Sequence, residues 1–207
     1  MDRGWFITFE GPDGSGKTTI STNVFQQLKT EGFDVIYTRE PGGIEIAEKI
    51  RHIILDPNNT SMDKKTEALL YAASRRQHLV EKILPALKEN KIVICDRFVD
   101  SSLAYQGFGR EIGLEAVRMI NEFAIEGTYP DLTIFLDIDP VKGLSRIADR
   151  HYRDRLDREV EHFHLLVAKG YQQLKEIYKD RYVVVDADRQ VYDIVSDAVA
   201  AIKKRIM

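Results

Sequence analysis

Short apolar runs recur along the chain at Trp5 to Phe9, Val35 to Thr38, Ile92 to Cys95, Leu132 to Leu136 and Tyr182 to Val185, each followed by a longer amphipathic stretch. A short run without polar alternation reads as a strand buried on both faces. The rhythm therefore predicts an α/β fold, a parallel sheet with helices on both sides. Helix signals place one helix from Ser15 or Gly16 to a stop at Gly32, and others over 111–126, 140–150, 157–178 and 190–206. A further helix is predicted from Asp63 to Lys88, with Leu69, Ala73, Val80, Ile83, Leu84 and Leu87 as its core face and Pro85 kinking it. Tyr71, Arg75 and His78 stand on a stripe rotated from that face. A ring beside an arginine can stack a nucleobase and bond its edge, although an ordinary half-exposed tyrosine fits the same pattern. The segment DRHYRDR, 149–155, crowds arginines between two helical patterns and by itself reads equally well as a solvated junction.

Composition narrows the class. The chain has 207 residues, 43% apolar and 30% charged, which suits one domain spanning 1–207. A formal charge of −3 gives no global field for nucleic acid or an anionic membrane, so any handling of polyanions must be local. The single cysteine, Cys95, excludes an internal disulfide and, set among Ile92, Val93 and Ile94, reads as a buried structural thiol. No run of eighteen apolar residues occurs, and the expectation is a soluble, cytoplasmic protein.

The chemistry begins at EGPDGSGKT, residues 10–18. Gly11, Gly16, Lys17 and Thr18 satisfy the phosphate-loop spacing G-x-x-x-x-G-K-[ST], between an apolar strand and a helix. Backbone N–H groups and the helix N-terminus would cradle phosphates, Lys17 would reach the β and γ groups, and Thr18 would ligate Mg²⁺. The loop also carries a carboxylate, Asp13, which an anion site should avoid. Asp96 and Arg97 end the third apolar run, at the strand edge where open α/β sheets bind ligands. Asp96 could hold Mg²⁺ through water, and the arginine beside it suits a phosphate better than a hydrolytic water. Arg39 and Arg51 add further positive charge, more than a single nucleoside triphosphate requires.

Taken together, EGPDGSGKTT, TREPGG, EALLYAASRR, DRFVDSSLAYQG and NEFAIEGTYPDLTIFLD closely resemble thymidylate kinases, with the match running from Phe6 to the C-terminal helix. The resemblance implies transfer of the ATP γ-phosphoryl to dTMP with Mg²⁺. It also implies a P-loop NTPase three-layer fold with five parallel strands in the order 2-3-1-4-5, a short lid near 149–156, and usually a homodimer. It makes Gly11, Pro12, Asp13, Gly14, Ser15, Gly16, Lys17 and Thr18 the ATP cradle, with Arg146 and the loop from Asp186 to Gln190 near adenine. Tyr71 resembles the ring that stacks on thymine, and Arg75, Ser102 and Gln106 the groups at the base edge. Tyr105 lies where a tyrosine disfavours a ribose 2′-hydroxyl, and Arg39, Arg51 and Arg97 match arginines around the acceptor phosphate. Asp13 then becomes intelligible as a contact to the sugar 3′-hydroxyl that also orders an arginine. Gly14 stands where one branch of the family carries an arginine, so the missing charge is expected from the lid: Arg155 first, with Arg150 and Arg153 as helpers. The nearest alternative is another nucleoside monophosphate kinase. A nucleotide-dependent switch is disfavoured because the guanine-reading N-K-x-D is absent.

Overall fold

Each of the five apolar runs forms a strand, and each strand continues one residue beyond its apolar stretch: β1 Phe6–Glu10, β2 Val35–Arg39, β3 Ile92–Asp96, β4 Leu132–Asp137 and β5 Tyr182–Asp186. The added residue is charged every time, so the carboxyl edge of the sheet is where charge collects. The structure is a computed structural model that describes residues 3–148 and 154–207. The strands pair in parallel in the order β2-β3-β1-β4-β5. Register sets Phe9 and Arg39 opposite Asp96, which brings the ends of β1, β2 and β3 level.

Central β1 and β3 are buried throughout, whereas the outer β2 and β5 are partly open, as expected of a sheet covered on both faces. Alternate residues feed two cores. Ile7, Phe9, Ile94 and Ile134 pack with Ile20, Val24 and Leu28 of α1 (Lys17–Thr30) and with Ile194, Ala198 and Ile202 of α9 (Val191–Ile206). Phe6, Val93, Cys95 and Phe135 face the other way. They pack with Leu79, Phe98, Phe163 and Tyr171. Phe6 and Phe135 are wholly buried, and truncating either to alanine would cost about 3–5 kcal/mol.

The remaining helices are α2 Glu45–Leu55, α3 Lys64–His78, α4 Leu84–Lys88, α5 Val99–Ser102, α6 Leu114–Ile125, α7 Pro140–Ala148 and α8 Glu161–Ile177. Helix α2 has no separate sequence signal: its N-cap position is Ile44, with no side-chain cap. Between α3 and α4 lies a π turn, Leu79–Ile83, which ends two residues before Pro85. Proline has no N–H, and its ring crowds the carbonyl one turn back; the wider π turn accommodates both. A second π segment, Leu103–Gly109, follows α5.

The face assigned from apolar spacing to the helix expected over Asp63 to Lys88 is corrected. Leu69, Ala73, Val80 and Leu84 are exposed, and only Ile83 and Leu87 of that set are buried. The interior face carries Tyr71, Ala72, Ser74, Arg75 and His78. Polar groups turn inward because they have partners there: Asp63 caps the helix, fixing its start, and the buried arginine and histidine meet a carboxylate described below.

Candidate active site

A cavity of about 290 Å³ opens at the carboxyl edge of the sheet, between the phosphate loop and α3. Its floor is the loop. Gly16 caps α1 in the left-handed region at φ 83°, offers no side-chain cap, and the first turn of α1 contains no acidic residue. The leading N–H groups of α1 are thus left to an anion, which the helix dipole also favours. A Cβ on Gly16 would meet nothing within 4 Å, whereas one on Gly14, at φ +80°, would run into the backbone carbonyl of Gly143 at the start of α7. The loop tip and α7 therefore touch backbone to backbone.

Lys17 is buried and donates to the carbonyls of Gly11 and Pro12, both at 2.8 Å, and to Ser15 Oγ at 3.3 Å. Burial and the neighbouring Arg97 lower its pKa to about 7. An arriving phosphate would restore its charge. Thr18 Oγ1 donates to Asp96 Oδ2 at 2.6 Å, and Asp96 Oδ1 is buried with no hydrogen-bond partner. A hydroxyl beside a carboxylate with an orphaned oxygen is a donor set that fits Mg²⁺, an ion that takes one or two protein oxygens and leaves the rest to phosphate and water. Among the described residues no group of three or more His, Cys, Asp or Glu could hold a metal alone.

The carboxylate in the loop is explained by its partner. Arg97 follows β3 at φ 71°, an unusual conformation for a side chain other than glycine, and its guanidinium pairs with Asp13. It also bonds Ser101 Oγ at 3.2 Å and Tyr105 Oη at 3.2 Å, and lies 5.0 Å over the Tyr105 ring. Burial alone would raise the Asp13 pKa, but Arg97 and Lys17 overcome it and hold the pKa at about 2. Arg51 lines the cavity and donates to Pro41 O at 2.9 Å; burial, then Arg39, pushes its pKa down. Arg39 does not border the cavity and instead donates to Glu48 at 2.8 Å and Pro41 O at 3.1 Å.

The far end is built by α3 and the π segment after α5. Tyr71 lines it, and among the described residues its hydroxyl has no protein partner. Arg75, 2% exposed, donates from Nε to Glu40 at 2.7 Å, from Nη1 to Ser102 Oγ at 2.9 Å and to Asn121, and from Nη2 to Phe98 O at 3.0 Å. A guanidinium has five N–H donors, so one remains for a ligand. Glu40 also meets His78 Nδ1 at 2.9 Å, and His78 Nε2 meets Thr38 Oγ1 at 2.6 Å. This buried chain fixes Arg75 in place. Ser102, Tyr105 and Gln106 complete the wall. Arg146 reaches Gly14 O at 3.3 Å and Asp188 at 3.5 Å, which joins α7, the phosphate loop and the loop after β5.

The arginines of the 149–155 segment remain. Arg150 and Arg153 lie outside the described residues. Arg155 donates to Ile54 O at 2.8 Å and to Glu67 at 2.5 Å and does not border the cavity, whereas its neighbours Asp154, Leu156 and Asp157 do.

A family model described as thymidylate kinase matches residues 9–199. The chain belongs to the thymidylate kinase family. The thymidylate kinase of Geobacillus sp. is 54% identical over 99% of this chain and 98% of the relative, and that of Halalkalibacterium halodurans is 54% identical over 100% and 99%. The crystal structure of thymidylate kinase from Ehrlichia chaffeensis superposes with a TM-score of 0.78 at 32% identity, covering 97% of this chain and 98% of that one. Membership of the thymidylate kinase family makes this chain a nucleoside monophosphate kinase that phosphorylates dTMP from ATP. Sequence reading missed Glu40, Glu67, Ser101 and Asn121, the buried groups that hold Arg75, Gln106 and Arg97 of the candidate site. Glu67 was within reach, since it continues the stripe of Tyr71, Arg75 and His78 one turn earlier.

Proposed function

We propose that transfer occurs in this cavity, with the donor phosphates on the loop at its floor and dTMP between the loop and α3. The ion pair of Asp13 and Arg97 carries this reading: it stands between the two ends, where an acceptor phosphate must be held near a donor. Gly11, Pro12, Ser15 and Gly16 supply the loop backbone, Lys17 exchanges loop carbonyls for phosphate oxygens, and Arg146 with the Asp188 loop flanks adenine. Arg97 and Arg51 hold the acceptor phosphate, with Arg39 setting the carbonyl and carboxylate around them. Asp13 meets the sugar 3′-hydroxyl, Tyr105 guards the 2′ position, Tyr71 stacks on the base, and Arg75, Ser102 and Gln106 bond its edge. Thr18 and Asp96 hold Mg²⁺, which when bound offsets charge on the phosphates.

Arg155 is the lid cation that leaves Glu67 for the transferring group, with Arg150 and Arg153 assisting. Glu67 is not stranded by that move, because Arg110 remains on it at 3.0 Å. The apolar residues left exposed on α2, α3 and α6, among them Ile46, Leu69, Met119 and Phe123, support a homodimer formed through these adjoining helices. No helix of the described residues is long and apolar enough to cross a membrane, and a single domain working in the cytoplasm on small nucleotides fits the buried lone cysteine. An ADP-release assay over dTMP, dUMP, UMP, dCMP, dGMP and AMP tests the reading. dTMP should be the best acceptor and dUMP a poor but measurable one, one methyl being worth ~1–3 kcal/mol. Preference for AMP or dGMP would overturn the base contacts.

A further inference from the structure

Glu67 is wholly buried on α3, one turn before Tyr71, and does not itself border the cavity. It accepts from Gln106 Nε2 at 2.9 Å on Oε1. It accepts from Arg110 Nη2 at 3.0 Å and Arg155 Nη2 at 2.5 Å on Oε2, with Arg110 Nε at 3.2 Å from both oxygens. Burial alone would raise its pKa, but the bonds from Arg110 and Gln106 outweigh burial and hold it below the usual range. It is therefore an ionised carboxylate, and an ionised carboxylate only accepts.

We propose that Glu67 is a specificity-determining positioning residue: it fixes which way the Gln106 amide faces, and so selects an acceptor base with a ring N–H over one with a bare ring nitrogen. The inference rests on the placement of the base beside Gln106 proposed above. Because Glu67 can only accept, the Gln106 amide nitrogen must face it, and the amide oxygen and second N–H are left to the cavity wall that Gln106 forms. Thymine presents an N–H at N3 beside an oxo acceptor at C4, which matches oxygen plus N–H. Cytosine presents the reverse, a bare N3 beside an amino donor, and meets like with like at both points. A neutral glutamine left free to turn could serve either base. The carboxylate behind it removes that freedom.

Glu67→Gln provides a directional test. Arg110 keeps the acceptor atom of the new amide on the Oε2 side, so its NH₂ occupies the Oε1 side facing Gln106. Gln106 must then turn its own oxygen back and offer N–H where thymine also has N–H. The ratio of kcat/KM for dTMP to that for dCMP should narrow at least about tenfold, with the dTMP value falling and the dCMP value rising. Arg75 continues to favour an oxo group, so the preference narrows without inverting. A purely structural role predicts lower thermal stability and an equal fractional loss for both nucleotides, and that result overturns the proposal. Gln106→Leu separates the two levels. If it leaves the ratio intact, the base does not lie beside Gln106 and the site reading fails as well; if it narrows the ratio while folded Glu67→Gln does not, only the role of Glu67 fails. Should Glu67→Gln not fold, the isotope-labelled wild-type protein decides by NMR. The Gln106 side-chain N–H signal, identified by its loss in Gln106→Leu, should be displaced by the carboxylate and slow to exchange, and an unshifted, fast-exchanging signal overturns the proposal.

Discussion

Lys17 spends its three donors on the loop that surrounds it, so a phosphate does not meet a free ammonium but displaces Gly11, Pro12 and Ser15 from it. Lys17→Ala should abolish transfer while circular dichroism and thermal melting stay near wild type, since the side chain stabilises charge on the transferring group and supports no apolar core. Near-normal turnover in that variant would sink the assignment. Glu10 poses a different problem at the same edge. It is wholly buried, and accepts from Phe98 N at 2.7 Å, Ser101 Oγ at 2.7 Å and Tyr171 Oη at 2.9 Å. Burial, then Asp100, raises its pKa from 4.5 to about 7. A raised carboxyl pKa means that the unfolded state ionises first as pH rises. The contribution of Glu10 to stability is therefore full below about pH 4.5, declines up to about 7 and is flat beyond. Glu10→Gln should remove that decline, so that urea midpoints of wild type and variant diverge between pH 5 and about 7; parallel curves would show that Glu10 stays ionised. At this scale the phosphate loop, Asp96 and Arg97 were legible because spacing alone carries them. Glu10 and Glu40 were not, because nothing in a sequence marks which carboxylate will be buried among donors supplied by distant segments.

Helix α3 shows why elements can be located more surely than they can be oriented. Its start follows from the sequence, yet apolar spacing chose the outward face: Leu69 on α3, Val80 in the π turn and Leu84 opening α4 stand on the surface while Arg75 and His78 go inside. Hydrophobicity measures a preference for leaving water, and a ligand-binding wall or a subunit contact inverts the usual address of each residue type. The π segment from Leu103 to Gly109 had no sequence signal at all, though it sets Tyr105 and Gln106 on the cavity. The segment entering α8 carries the next prediction. An arginine that moves to the transferring phosphoryl contributes ~10³ to 10⁵ in turnover, so Arg155→Ala should lower kcat by at least the bottom of that range with little change in KM for dTMP. If Arg155 only anchors the segment to Glu67 and Ile54, steady-state kinetics at saturating Mg-ATP will show retained kcat and calorimetry a lower melting temperature.

For the whole molecule, a parallel sheet covered on both faces was legible from five apolar runs, the strand order came only with the family resemblance, and the charged residue ending each strand lies at the edge where the candidate site opens. The surface proposed for dimerisation was not legible, because it is written in residues that look like core. Phe123 is 88% exposed on α6. Phe123→Glu should leave the protomer folded and shift it from dimer to monomer in sedimentation equilibrium; an unchanged mass would place the contact elsewhere. Gly14 and Gly143 lie backbone against backbone, and a Cβ on either would strike the other's strand of chain. Any side chain at the loop tip therefore has to be answered by movement of the α7 backbone itself. Gly14→Arg in this chain would have to push α7 outward before the loop could close on a phosphate. The width of the gap between loop tip and α7, and not the residue at the tip alone, decides whether the phosphate loop can carry a cation of its own.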